Sequence, residues 1–297
     1  MKTPKDGIHY NVDFDEYQAW EAVNNSSLTP ATRSAAHYQD SLQRAIARNS
    51  AAFPFGRLVH AAVTEPDTLD ERYVIQPDFS ARVTNADGTI PKNPRATKHF
   101  KELAAAFDAA NTGREVVSAH DWQNMQSVVA AVRANAGEFF ANGRGEVSLL
   151  WADRKTGTRC KARVDWLDAE NGRAIDLKTT SDAQAFPASI AKYRYHRQAA
   201  FYCDGLAAVG LPVLGGFWFC VVEVAAPHGV MTAPCHKQML LQGRREYRAA
   251  LETLQHAEST GKYDGYQSPK HWRLPPWARD GLNLIIDGES KFLERSA

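Results

Sequence analysis

"VDWLDAENGRAIDLKTT", residues 164–180, sets two carboxylates and a lysine, Asp165, Asp176 and Lys178, on strand-like runs either side of a turn. In "CKARVDW" (160–166), Cys160, Ala162, Val164 and Trp166 share one face, and Lys161, Arg163 and Asp165 the other. In "RAIDLKT" (173–179), Ile175 and Leu177 take one face, and Asp176 and Lys178 the other. That period of two is the period of a β-strand. Between the runs, Asn171-Gly172 favours the positive φ of a type I′ turn, the strongest short hairpin signal. A two-residue loop pairs Glu170 with Arg173 and sets Asp165 opposite Lys178, with Asp176 its diagonal neighbour. Diagonal side chains lie about 7–8 Å apart, so both carboxylates can reach one ion. An alternating charged face suits plain solvent exposure as well, and the hairpin alone leaves both readings open.

Upstream, "GEVSLLWADRKTGT" (145–158) adds a third strand, giving an antiparallel meander with turns at Lys155-Thr156-Gly157 and Asn171-Gly172. Downstream, a helix is expected near 186–209, ended by Gly210. "GGFWFCVVEV" (215–224) reads as a buried strand, and a long helix runs from about 236 to 259 and stops at Gly261. Toward the N-terminus, Thr29-Pro30 is an N-cap followed by proline at the first helical position, opening a helix through "ATRSAAHYQDSLQRAIA". "FPFGRLVHAAVTEP" (53–66) forms a second helix that stops before Pro66, and 77–94 is a loop. Further helices follow near 95–110 and 119–140, the latter opened by Ser118. The order predicts one α/β domain over residues 1–265, with a central mixed sheet flanked by helices and a helical N-terminal layer. Residues 266–297, rich in Pro, Trp and Tyr, read as an irregular tail packed on the domain or on a neighbouring subunit.

The bulk numbers narrow the classes. With 297 residues and 44% hydrophobic content the chain can bury a large core. No stretch approaches the roughly 18 apolar residues of a membrane span, and "MKTPKDGIHYNVDFDEYQAW" lacks the apolar region of a signal peptide. A cytoplasmic protein is expected. Cys160, Cys203, Cys220 and Cys235 form no close pair, so they read as small buried hydrophobes rather than as zinc or iron–sulfur ligands. A net charge of +1 neither demands nor excludes a nucleic-acid partner, and "DRKTGTRCKAR", "KYRYHR" and "GRREYR" are local basic clusters. "GRG" at 143–145 lacks the Lys-Ser/Thr and the spacing of a P-loop, and no G-x-S-x-G elbow is present.

Other polar residues fall into order around the hairpin. His60 stands in "GRLVHAAV", Glu146 opens the first meander strand, and "YRYHRQAAFYCDGL" places Gln198 and Tyr202 on one helix face. Singly, each suits a packed or solvated role. Together, His60, Glu146, Asp165, Asp176-Leu177-Lys178 and Gln198 with Tyr202 resemble the PD-(D/E)XK nuclease superfamily, in its RecB-type and RecE-type (exodeoxyribonuclease VIII-like) branch. "NNSSLTPATRSAAHYQ" resembles the serine-containing opening helix of RecE-type domains, so the match runs from about residue 8 to 260. One departure is Val164 where the superfamily often has proline.

That resemblance implies a restriction-endonuclease-like fold and a Mg²⁺-dependent exodeoxyribonuclease, with Mn²⁺ able to substitute. It implies His60, Asp165, Asp176 and the Leu177 carbonyl as metal ligands, with His60 and Glu146 completing the site or supporting it from behind. Lys178, Glu146, Gln198 and Tyr202 are implied as catalytic, with Lys178 stabilising developing charge and its use as a base left open. Ser26, Ser27 and Arg33 are the candidates for a terminal DNA phosphate. The RecE-type likeness further implies 5′→3′ digestion of linear double-stranded DNA to leave 3′ overhangs, a RecT-like single-strand annealing partner and a ring-shaped homo-oligomer. A single-strand or structure-specific nuclease of the same fold, or a non-catalytic DNA-binding protein, are the alternatives.

Overall fold

The computed structural model describes residues 3–45, 55–85, 87–273, 282–286 and 289–293. In chain order the elements are β1 (Gly7–His9), α1 (Phe14–Ala19), α2 (Leu28–Ala31), α3 (Ala35–Ala45), α4 (Phe55–Thr64) and α5 (Leu69–Arg72). There follow β2 (Tyr73–Ile75), α6 (Lys98–Ala110), β3 (Glu115–Val117) and α7 (Ala119–Ala136), with the Ser118 hydroxyl capping α7 on the Asp121 N–H at 3.0 Å. The meander is β4 (Arg144–Ala152), β5 (Arg159–Asp168) and β6 (Arg173–Thr180). Next come α8 (Phe186–Tyr193), α9 (Tyr195–Ala208), β7 (Gly216–Glu223), β8 (Val230–Pro234) and α10 (Lys237–Thr260). β9 (Leu282–Ile286) and β10 (Glu289–Leu293) close the series.

A six-stranded mixed sheet, in the order β1-β4-β5-β6-β7-β8, organises the domain. All neighbours are antiparallel except β6 and β7, whose parallel pairing is made possible by the crossover through α8 and α9. One face is covered by α2, α9 and α10 through Leu28, Phe201, Leu206, Tyr247, Leu251 and Leu254. α4 and α7 cover the other through Leu58, Val59, Met125, Val128 and Val132. The sheet is thus the middle of three layers, the expected α/β class. Lys161, only 4% exposed, fixes the N-terminal segment to β5: its ammonium donates to the carbonyls of Tyr17, Gln18 and Trp20 at 2.8–2.9 Å. Burial pushes this lysine down to about 8, while the three carbonyls at the end of α1 hold its charge.

Several expectations need correction. The hairpin loop spans four residues, not two, because β5 and β6 pair Asp168 with Arg173, Leu167 with Ala174 and Trp166 with Ile175. Asp168 builds this turn, accepting from the Asn171 N–H (3.0 Å), the Asn171 side chain (2.8 Å) and Arg173 (2.9 Å). Although burial opposes it, those bonds hold the Asp168 carboxyl below its ordinary range. The pairing stops at Trp166 and Ile175, so Asp165 is not set opposite Lys178 across the hairpin. Near residue 29 the helix is two pieces, α2 and α3, with Ser27 rather than Thr29 preceding the first. The helix expected over 186–209 breaks at Arg194, whose φ of 60° ends α8. The tail is not wholly irregular, since β9 and β10 pair antiparallel. Among the described residues no helix is long and apolar enough to cross a membrane.

Candidate metal centre

The site forms where the sheet stops being regular. β4 and β5 pair on both sides of Glu146 and Asp165 but not at them, and Glu146 takes a left-handed φ of 52°. A non-glycine residue held there stores strain of about 1–3 kcal/mol, a cost that collects at functional sites. The two strands turn over together at this point. Val147 and Val164 pack under α9 and α10, whereas Gly145 meets Thr64 of α4 and Trp166 packs into the α4–α7 layer. Trp166 therefore departs from the face it was expected to share with Val164. β5 and β6 also part beyond Trp166 and Ile175, leaving the Leu177 N–H and C=O without a strand partner on that side.

Two of the expected site residues fill those vacancies. The Leu177 N–H donates to Asp165 Oδ2 at 2.9 Å, and His60 Nε2 meets the Leu177 carbonyl at 2.6 Å. A carbonyl can only accept, so Nε2 carries a ring proton there, and Nδ1 is the nitrogen that faces Asp165, 3.6 Å from its Oδ2. A backbone carbonyl fixing the far nitrogen of a histidine is the usual support for a metal-ligating imidazole.

His60, Glu146 and Asp165 each bring a ligand atom within 4.8 Å of the others. An imidazole nitrogen with two carboxylates is a donor set suited to a divalent cation, and the imidazole suits Mn²⁺ better than Mg²⁺. Burial, and after it the neighbouring Asp176, push the Asp165 carboxyl up to about 7, against the pull of His60 and Lys178. Carboxylates crowded out of water in this way are ones that a cation would relieve.

Glu146, implied both as catalytic and as a residue completing the metal site with His60, stands in the donor set. Asp176, expected as a ligand, is fully buried, with Oδ1 accepting from Gln198 Nε2 at 2.6 Å and Oδ2 in close ion-pair contact with Lys178. Asp165 and Asp176 are thus served by helices on opposite faces of the sheet, His60 of α4 and Gln198 of α9. Burial disfavours the Lys178 ammonium, but Asp176 and Asp165 outweigh it and raise its pKa, so Lys178 is a firmly held cation. Its Nζ also lies 4.8 Å from the centre of the Tyr195 ring. Tyr202 is bonded to Gln198 and packs 6.2 Å from Phe217, and burial holds its hydroxyl well above the ordinary range, in the neutral form.

Ser26, Ser27 and Arg33 each have a nearby partner within the chain. Both serine hydroxyls donate to Asn24, at 2.8 and 2.9 Å, and Arg33 donates to the Tyr266 hydroxyl at 2.9 Å. Sequence reading missed Arg163 and Thr64. Arg163 Nε holds Glu146 at 2.5 Å and its other arm donates to the Val12 carbonyl at 2.8 Å. Thr64 donates to the His60 carbonyl at 2.8 Å and lies 3.3 Å from Glu146 Oε1. A signal for each existed: Arg163 is two residues before Asp165 on β5, and Thr64 is one turn after His60 on α4.

α4 can bring His60 to Glu146 only because position 145 has no side chain. A Cβ on Gly145 would lie 2.0 Å from the Thr64 carbonyl oxygen and 2.8 Å from its carbon. Gly145→Ala is therefore expected to push α4 from β4, costing about 1–3 kcal/mol as overpacking does, and to abolish the rise in Tm expected of wild type on adding Mn²⁺. Thermal melts with and without Mn²⁺ measure both effects.

Fold and site together define a nuclease-like domain of the PD-(D/E)XK type. The chain belongs to the family described as "PDDEXK-like domain of unknown function (DUF3799)", whose model matches residues 24–266. Among solved structures it is similar to "Putative exonuclease" from Eubacterium rectale, with a TM-score of 0.52 and 10% identity, over 84% of this chain and 88% of that one. A weaker likeness, to SSO0001, has a TM-score of 0.26 at 15% identity, over 65% of this chain and 84% of that one. No curated protein matches the chain.

Proposed function

We propose that the protein is a divalent-metal-dependent deoxyribonuclease that hydrolyses phosphodiester bonds from the ends of linear double-stranded DNA. The supporting observation is the cluster of His60, Glu146 and Asp165 in a PDDEXK-like domain, with the Lys178 ammonium near enough to pull on the Asp165 carboxyl. A bound divalent cation would act there as a Lewis acid on the phosphate and lower the pKa of a coordinated water. His60, Glu146 and Asp165 are the residues that would hold it.

The chain's own groups do the rest. Lys178 is kept charged by Asp176, so it stabilises negative charge developing on the phosphoryl oxygens rather than taking a proton. Gln198 locks Asp176, and through it the lysine, at 2.6 Å. Tyr202 braces Gln198 from the core. Arg163 orients Glu146 and balances its charge.

The finer assignments rest on the motif order and its RecE-type likeness: Mg²⁺ as the working ion, 5′→3′ polarity with a 3′ overhang, a RecT-like annealing partner and a ring of subunits in the cytoplasm. Incubating end-labelled linear duplex and closed circular DNA with Mg²⁺, Mn²⁺ or EDTA tests the reading. Release of 5′-labelled product from linear DNA, intact circles and silence in EDTA are expected. Cut circles would identify an endonuclease, and no hydrolysis with either ion would leave a DNA-binding protein.

A further inference from the structure

We propose that the cavity beside the metal centre, between α4, α7 and the start of β4, binds an unpaired nucleobase of the substrate strand next to the bond that is cut. The proposal rests on the nuclease reading and adds to it the part of the substrate that lies off the phosphate. The cavity holds about 500 Å³ and is lined in part by Tyr10, Thr64, Arg133, Arg144, Gly145 and Trp166. That volume falls in the ~300–1,000 Å³ range of small-molecule sites.

Its position ties it to the chemistry. Gly145 immediately precedes Glu146, Trp166 immediately follows Asp165, and Thr64 is one turn beyond His60 and bonded toward Glu146. Each of the three metal donors thus has a near neighbour in the cavity wall. A nucleotide whose phosphate met the donors would find this space within reach of its base.

The wall chemistry suits a base with its sugar–phosphate. Tyr10 is 46% exposed, and the Arg144 guanidinium lies 4.9 Å from its ring centre. Trp166 donates its indole N–H to the Asn142 carbonyl at 2.9 Å, which fixes the plane of the ring. Aromatic faces stack on any base, and guanidinium planes add to that stacking or meet a phosphate. Among the described residues Arg133 and Arg144 make no ion pair, so both are available to an anion. Of the acidic residues at the rim, Glu65 is committed to Arg72 at 2.9 Å, which leaves Asp67 as the opposing charge.

The probe is a DNA oligonucleotide duplex carrying 2-aminopurine at its terminal nucleotide, against the same duplex abasic at that position. Binding is read in EDTA and hydrolysis in Mn²⁺. Wild-type protein is expected to change the 2-aminopurine emission on binding. Tyr10→Ala is expected to abolish that change and weaken binding of the base-bearing duplex about tenfold, the scale of one lost base–aromatic stack. Tyr10→Phe should behave as wild type, and the abasic duplex should bind wild type and Tyr10→Ala alike. Equal binding and equal emission for wild type and Tyr10→Ala overturn the assignment, as does an equal loss on both duplexes. Hydrolysis by wild type with base-independent binding overturns the cavity alone. Base-dependent binding without hydrolysis overturns the nuclease reading alone.

Discussion

Asp165→Asn is expected to lower metal-dependent digestion of DNA by about 10²–10³-fold, the scale on which loss of one charge-stabilising group acts, and to make the metal-free protein more stable at pH 7. The two effects share a cause. Asp165 is packed beside Asp176 with little water, and burial together with that neighbour pushes its carboxyl up to about 7. In the unfolded chain an aspartate titrates near pH 3.9. Between about pH 4 and 7 the folded, metal-free chain therefore keeps a proton that the unfolded chain has released, so stability falls as pH rises through this window. Below about pH 4 the contribution of Asp165 is fully present, and above about pH 7 it is lost. The amide introduced by Asp165→Asn does not titrate, and its oxygen can still accept from the Leu177 N–H.

The variant should thus gain on wild type across that window, by on the order of 1–4 kcal/mol at neutral pH. Melts in EDTA from pH 4 to 8 measure the gain, and melts in Mn²⁺ should reverse the ranking, because only wild type keeps the full donor set. A variant that melts below wild type at pH 7 in EDTA, or digests DNA at the wild-type rate, would show that Asp165 is neither crowded nor a ligand.

The parts of this site that were legible in the sequence were those set by local rules. The period of two on β5 and β6 put Asp165, Asp176 and Lys178 at the hairpin, and helical spacing joined Gln198 to Tyr202 on α9. Asn171-Gly172 marked the turn correctly, but the four-residue loop depended on Asp168, whose side-chain bonds to Asn171 and Arg173 no dipeptide signal carries. The left-handed Glu146 and the parting of β5 from β6 were illegible for a similar reason. They are settled by the approach of α4, which passes close over Gly145. That approach decides which carboxylates gather around His60, and so which of Glu146 and Asp176 shares its donor set. β1 and β8 are short edge strands of three and five residues, too brief for periodicity to register.

Lys178→Met should separate charge stabilisation from metal binding. Removing the ammonium is expected to slow digestion by about 10²–10³-fold, yet the Mn²⁺-induced rise in Tm should persist because His60, Glu146 and Asp165 are untouched. The same substitution leaves Asp176, fully buried, with Gln198 alone, and a buried charge stripped of its partner costs about 3–5 kcal/mol. A loss of activity in the single variant could therefore be read as a loss of folding. Asp176→Asn in the same chain resolves it, since a neutral amide beside the introduced methionine needs no counter-charge and still bonds Gln198. The double variant should regain most of the stability measured by urea unfolding and none of the activity. The coupling between the two sites then appears in ΔG of unfolding but not in the rate. Recovery of digestion in the double variant would mean that Lys178 serves only to neutralise Asp176. Wild-type digestion by Lys178→Met alone would remove the lysine from the chemistry altogether, leaving the metal donors to act without it.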